Sequence, residues 1–165
     1  TLLPYTTLFL SAYAKETPVS DDQLARAAAI SHLVNSVIKN KIGRLSALCG
    51  CGVAAGTGAS VALTWLMKGD FEQIEGAIKN MIANTTGMIC DGAKIGCSLK
   101  LATSASAAVQ SSILAMSGII VPCGNGIIAK TADETIANLG VLSKEAMGTV
   151  DRVILGIMTD HIEQC

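Results

Sequence analysis

The chain has 165 residues, half of them hydrophobic, 15% charged and only 3% aromatic, with 12 Lys and Arg against 13 Asp and Glu. A mean hydropathy of +0.50 and a net charge of −1 exclude a disordered segment, which needs low hydrophobicity and high net charge. They also speak against nucleic-acid binding, which draws on a basic excess and aromatic stacking platforms. The length suits one domain over residues 1–165, able to bury roughly 70% of its unfolded surface. With so few aromatics its core must come from Ala, Val, Ile, Leu and Met, and 16 Gly against 3 Pro favour closely packed helices. The first residue is Thr1, so the chain is expected to be a fragment or a processed product.

Residues 2–15 place Leu3, Leu8, Phe9, Ala12 and Tyr13 on a helical spacing, ending before Pro18. Ser20-Asp21-Asp22-Gln23 is a capping-box pattern with acids in the first turn, where the helix dipole favours them. The helix it opens carries Leu24, Ala27, Leu33, Val34, Val37 and Ile38, and ends in the basic run 39–41 before Gly43, expected to be a solvated last turn. The next helix is predicted from about 52 to 68, and its Gly52, Ala55, Gly56 and Ala59 form a face with almost no side chain. Gly69 stops it. Asp70-Phe71-Glu72-Gln73 starts another, which shows Phe71, Ile74, Ile78, Met81 and Ile82 and ends at 84–87. A loop over 88–96 precedes a long Ala- and Ser-rich helix over 97–117, closed by Gly118. Residues 119–128 are irregular, Thr131-Ala132-Asp133-Glu134 is a further capping box, and 149 to about 163 makes a last amphipathic helix. Nothing alternates with a strand period. The fold class is therefore all-α, a compact bundle of about six helices with Gly- and Cys-rich connecting loops.

Two stretches, 45–67 and 101–129, lack Asp, Glu, Lys and Arg, and each exceeds the twenty or so residues that cross a bilayer. Both are broken by glycines or hydroxyl residues, and neither has Trp and Tyr belts or a Lys/Arg asymmetry. The centre of a soluble helical domain reads the same way. No membrane is expected, and no charged leader with a cleavage site points to secretion, so a cytoplasmic protein is expected.

Five of the six cysteines (Cys49, Cys51, Cys90, Cys97 and Cys123) lie in Gly-punctuated turns at helix ends, and Cys165 is terminal. Glycines beside a thiolate leave room for a bulky inorganic ligand and expose backbone N–H groups to its sulfides. The spacing does not fit a zinc ribbon, which wants two close CxxC-type pairs. Scattered thiolates at helix ends suit an iron–sulfur cluster with one iron left unligated by protein. On spacing alone, a redox disulfide, a zinc site and plain burial remain open.

The run Leu48-Cys49-Gly50-Cys51-Gly52-Val53-Ala54-Ala55-Gly56-Thr57-Gly58 resembles the iron–sulfur cysteine desulfidases, as does Gly87-Met88-Ile89-Cys90-Asp91-Gly92-Ala93-Lys94-Ile95-Gly96-Cys97-Ser98-Leu99-Lys100. More distantly, the chain is similar to the alpha domain of bacterial iron–sulfur L-serine dehydratases, from about Ser31 onward. The resemblance implies an all-helical domain whose three cysteines hold a [4Fe–4S] cluster. Cys49, Cys90 and Cys97 fall on the three positions in order, with Cys51 the rival for the first; the short gap between Cys90 and Cys97 is desulfidase-like. The implied chemistry is β-elimination without pyridoxal phosphate, converting L-cysteine to pyruvate, ammonia and hydrogen sulfide. L-Serine is the alternative substrate, and a non-catalytic helical metal-binding or structural module is a further alternative.

Lys94 and Lys100 are candidates for binding the substrate carboxylate, with a solvated helix end equally open for each. Asp91 is expected to cap the turn, Asn125 to shape one, and His32 to be a satisfied core or boundary histidine. Cys123 is left out of the ligand set. The Gly-Cys-Thr-Glu-Pro motif of desulfidases and the Ser-His-Thr motif of the dehydratases are both absent. The expected partners are therefore an amino-acid substrate and an upstream part of the same enzyme carrying the unassigned base; a homodimer is compatible, and this piece alone should not turn over.

Overall fold

The computed structural model describes residues 3–92 and 95–161. Seven α-helices follow one another among them: α1 (Leu3–Glu16), α2 (Asp21–Ile42), α3 (Gly56–Leu66), α4 (Phe71–Thr85), α5 (Cys97–Met116), α6 (Ala132–Val141) and α7 (Met147–His161). The described residues contain no strand, only an isolated antiparallel bridge between Leu48 and Ile89. The all-α bundle expected from periodicity is the observed fold.

The helix starts are where the sequence puts them. At Ser20, Asp70 and Thr131 the side chain accepts from the N–H of Gln23, Gln73 and Glu134 at 3.2, 2.9 and 3.2 Å. Each of those three residues returns a side-chain oxygen to the capping N–H, so two otherwise orphaned donors are satisfied per helix.

One helix differs from expectation. The segment predicted as a continuous helix from 52 opens instead as a π turn, Gly50–Ala55, and becomes α-helical at Gly56. The wider turn lets Cys49 cap it, with Sγ accepting from the Gly52 N–H at 3.3 Å. A second π turn, Leu142–Ala146, joins α6 to α7.

Helix α3 is the axis of the bundle, and its residues from Gly56 to Thr64 are all buried among α2, α4 and α5. That explains the uncharged 45–67 stretch, and no helix among the described residues is long and apolar enough to cross a membrane. Small residues set the spacing. A Cβ on Gly58 would lie 2.4 Å from the Ser31 backbone oxygen, so α2 and α3 meet backbone to backbone. Several hydroxyls inside this apolar packing donate to backbone oxygens, Thr57 to Val53 O at 2.7 Å, Thr64 to Ser60 O at 2.9 Å and Ser112 across helices to Ser60 O at 2.8 Å, whereas the Ser31 hydroxyl is buried without a partner among the described residues.

Two apolar clusters flank the axis. One joins Ile38, Ile82, Ile136 and Leu139 to Leu48 and Val53, the residues that bracket the Cys49–Gly52 turn. The other joins Leu10, Ala59, Leu63, Met81 and Ala108. The irregular 119–128 segment is held by Asn80, which donates to Ile119 O and accepts from the Val121 N–H, both at 2.9 Å.

Candidate metal centre

Cys49 and Cys51 lie on the π turn at the N-terminal end of α3, with Leu48 and Val53 buried on either side of them. Those apolar neighbours anchor the turn in the core, and Cys49 is buried with them while Cys51 stays partly exposed. The partner segment arrives from the far end of α4. The Cys49 N–H donates to Met88 O at 2.8 Å and the Cys90 N–H to Ala47 O at 2.6 Å, around the Leu48–Ile89 bridge. Two cysteine segments forty residues apart are thus paired like strands. Cys97 opens α5, and Lys100 one turn later ties that helix back: its ammonium donates to Ile89 O at 2.9 Å and forms an ion pair with Asp91.

Gly52 sits where the three segments meet. A Cβ there would fall 2.2 Å from Met88 Sδ and 2.8 Å from Ser104 Oγ, so only glycine admits both neighbours. Ser104 in turn donates to Met88 Sδ at 3.6 Å.

The four thiols feel one another. Burial pushes the Cys49 thiol up; the Gly52 N–H opposes this, and negative charge on Cys90 and Cys97 adds to it. Burial also raises Cys51, with Cys49, Cys97 and Cys90 adding to the rise and Lys39 opposing it. All four are free, Cys49 buried and the others partly exposed. Among the described residues, no three His, Cys, Asp or Glu side chains are gathered tightly enough for a single metal ion. The chemistry of the donor set, free thiols, suits the soft iron of a cluster.

The other predicted residues fall as follows. Lys100 is at the site, already engaged with Asp91 and Ile89 O. Asp91 pairs with that lysine, which holds its carboxyl below the usual range. Lys94 and Cys165 lie outside the described residues. Cys123 is exposed in the 122–126 turn, where the Asn125 N–H donates to Pro122 O at 3.3 Å. His32 Nε2 is 3.4 Å from Thr7 Oγ1, while its Nδ1 is buried without a partner among the described residues.

Lys39 is the residue that sequence reasoning missed. Expected in a solvated last turn, it is half-buried and donates to Arg44 O at 2.8 Å; burial lowers its pKa, with Cys51, Cys90 and Cys49 opposing the fall. Its signal was a row at i, i+4 and i+8 on α2, where Ser31 and Asn35 are both buried.

Residues 5–156 match the family described as serine dehydratase alpha chain. A UPF0597 protein of Alkaliphilus oremlandii is 64% identical over 147 residues, 89% of this chain and 34% of that protein. One from Clostridioides difficile is 56% identical over 149 residues, 90% of this chain and 35% of its own length. One from Caldanaerobacter subterraneus is 48% identical over 149 residues, with coverage of 90% and 35%. The chain spans about a third of the length of these curated relatives. No solved structure matches it.

Proposed function

The chain belongs to the serine dehydratase alpha-chain family, and from that premise we propose that it is the cluster-binding domain of a longer, pyridoxal-free lyase that eliminates hydrogen sulfide from L-cysteine. The observation that carries the proposal is the convergence of Cys49 and Cys51, Cys90 and Cys97 from three chain segments onto one glycine-lined corner. Cys49, Cys90 and Cys97 are the proposed ligands, with Cys51 the alternative to Cys49. A [4Fe–4S] cluster with one iron free of protein thiolate supplies, when bound, a Lewis acid for the leaving group.

The chain's own residues hold and orient. The Leu48–Ile89 bridge fixes the distance between the first two thiol segments, and the Lys100–Ile89 bond fixes the third against the second. Gly52 lets Met88 and Ser104 close against the Cys49 turn. The general base belongs to the part of the longer protein beyond this chain. Free, cluster-ready thiols belong in a reducing compartment, which supports a cytoplasmic location.

The second reading is L-serine as substrate. The family's description favours it, whereas the affinity of iron for a soft substrate thiolate favours cysteine.

Anaerobic reconstitution of the longer protein with iron and sulfide tests the proposal. Broad brown absorption should form and should be lost in Cys90→Ala, while Cys123→Ala retains it. Pyruvate release should be faster from L-cysteine than from L-serine. No cluster absorption in the unaltered protein, or full absorption in Cys90→Ala, overturns the reading.

A further inference from the structure

We propose that the outward face of α5, with the cleft it forms against α4, is where the part of the longer protein outside this chain docks; this rests on the lyase reading above for what the docked part supplies. Two stretches of the chain lack charge. Burial of α3 accounts for the first, 45–67, but burial does not account for the second, 101–129. Leu99, Ala102, Ser106, Val109 and Ile113 recur along α5 at alternating steps of three and four, and all are exposed, Val109 by 47% and Ile113 by 52%. That spacing is the seam by which one helix receives another. A helix face turned to water ordinarily carries charge, as α2 does where exposed Leu33 has Arg26 two turns earlier on the same side.

The seam borders a cleft that leads to the cysteines. A cavity of about 590 Å³ lies along Ser106, Val109 and Ile113, and a second of about 380 Å³ continues from Ser106 past Asn84 to Met88. No charged residue lines either. Met88 joins the cleft to the corner: its Sδ stands 2.2 Å from the place of a Gly52 Cβ, and Cys49 Sγ stands 3.5 Å from the same point. A segment seated in the cleft therefore reaches the neighbourhood of Cys49, where the lyase reading requires a base from outside this chain. There is ample chain to fill it, since this one spans only 34% and 35% of two relatives. A second copy of this chain would cover the seam without bringing that base. The docked face is itself uncharged and apolar, because a charge pressed against Val109 and Ile113 would lose its water and gain no partner.

Replacing Val109 by the photoreactive benzoylphenylalanine in the longer protein tests the docking at a position exposed enough to accept the larger side chain. On irradiation the crosslink should join position 109 to a residue outside 1–165 of the same polypeptide, as read by peptide mass in a mixture of isotopically light and heavy protein. A crosslink to a second copy, one to a residue within 1–165, or none at all overturns the assignment. Separately, Ile113→Glu should speed tryptic cleavage between the two parts at least about tenfold, because a charge buried without a partner opens the interface, while Leu33→Glu should change it less than about twofold. An acceleration no larger in Ile113→Glu than in Leu33→Glu also overturns it. Neither readout depends on the cluster, so a longer protein that takes up no iron or sulfide overturns the lyase reading while the crosslink still decides the docking.

Discussion

Glycine permits close packing in two regions of this molecule that are held together by different means. In the interior, Gly58 removes a side chain so that two helices touch, and Ser31 fills the space to 2.4 Å from where its Cβ would be. At the cysteine corner, Gly52 leaves its Cβ space to Met88 Sδ and Ser104 Oγ beside the buried Cys49 Sγ, while Cys51, Cys90 and Cys97 remain partly exposed. The interior is held by burial, the corner by backbone pairing between Ala47–Cys49 and Met88–Cys90 and by one lysine. The difference teaches that stability and reactivity are stored separately: the corner borrows its rigidity from Leu48 and Val53, which belong to the main core.

If that division is right, the largest effects on stability come from the interior. Leu139→Ala empties a fully buried position in the cluster that holds Leu48 and Val53, and should cost about 2–5 kcal/mol in denaturant unfolding. A loss below about 1 kcal/mol would mean that the corner does not depend on this core. Gly58→Ala should cost about 1–3 kcal/mol, since the obstacle is a backbone oxygen that cannot rotate away. A neutral result would show that α2 and α3 can slide apart, and the interior would then be as adaptable as the corner.

The smallest effect belongs to the corner's ion pair. Lys100 depresses the Asp91 carboxyl in the folded state, so its contribution is full above the unfolded carboxylate value near 3.9 and fades as pH falls through the lower folded value. Asp91→Asn should therefore lower the melting temperature slightly at pH 7, and the gap should close as pH falls below the carboxylate range. The Asp91 side of the pair is exposed, so added salt should shrink the gap as well. A gap that persists in acid would assign the effect to the shape of the loop instead of its charge.

The helices were legible because their causes are local. Apolar residues recur at helical spacing, and Ser20, Asp70 and Thr131 each close a box with a residue three positions on. The irregular 119–128 segment was also legible, but the side chain that holds it, Asn80, was not, because its partners lie about forty residues away. Asp91 was expected to cap a turn and instead meets Lys100, nine residues on, because α5 folds back over its loop.

The same boundary runs through the cysteines. Their types, their glycine neighbours and their place at helix ends are properties of the sequence; these singled out Cys49, Cys51, Cys90, Cys97 and Cys123, and the family resemblance set Cys123 apart from the rest. Bringing Cys49 and Cys90 together took the backbone pairing at Leu48 and Ile89, a contact across forty residues that no local spacing encodes. Lys39 shows it most plainly. A basic residue in a last helical turn is ordinarily solvated, and only the packed molecule gives this one a half-buried place with its ammonium on Arg44 O. Sequence determined the helices, their caps and the sulfur-rich turns, because those depend on neighbours in the chain. Tertiary structure decided which turns meet and which lysine is half-buried, because burial and close approach belong to the packed molecule alone.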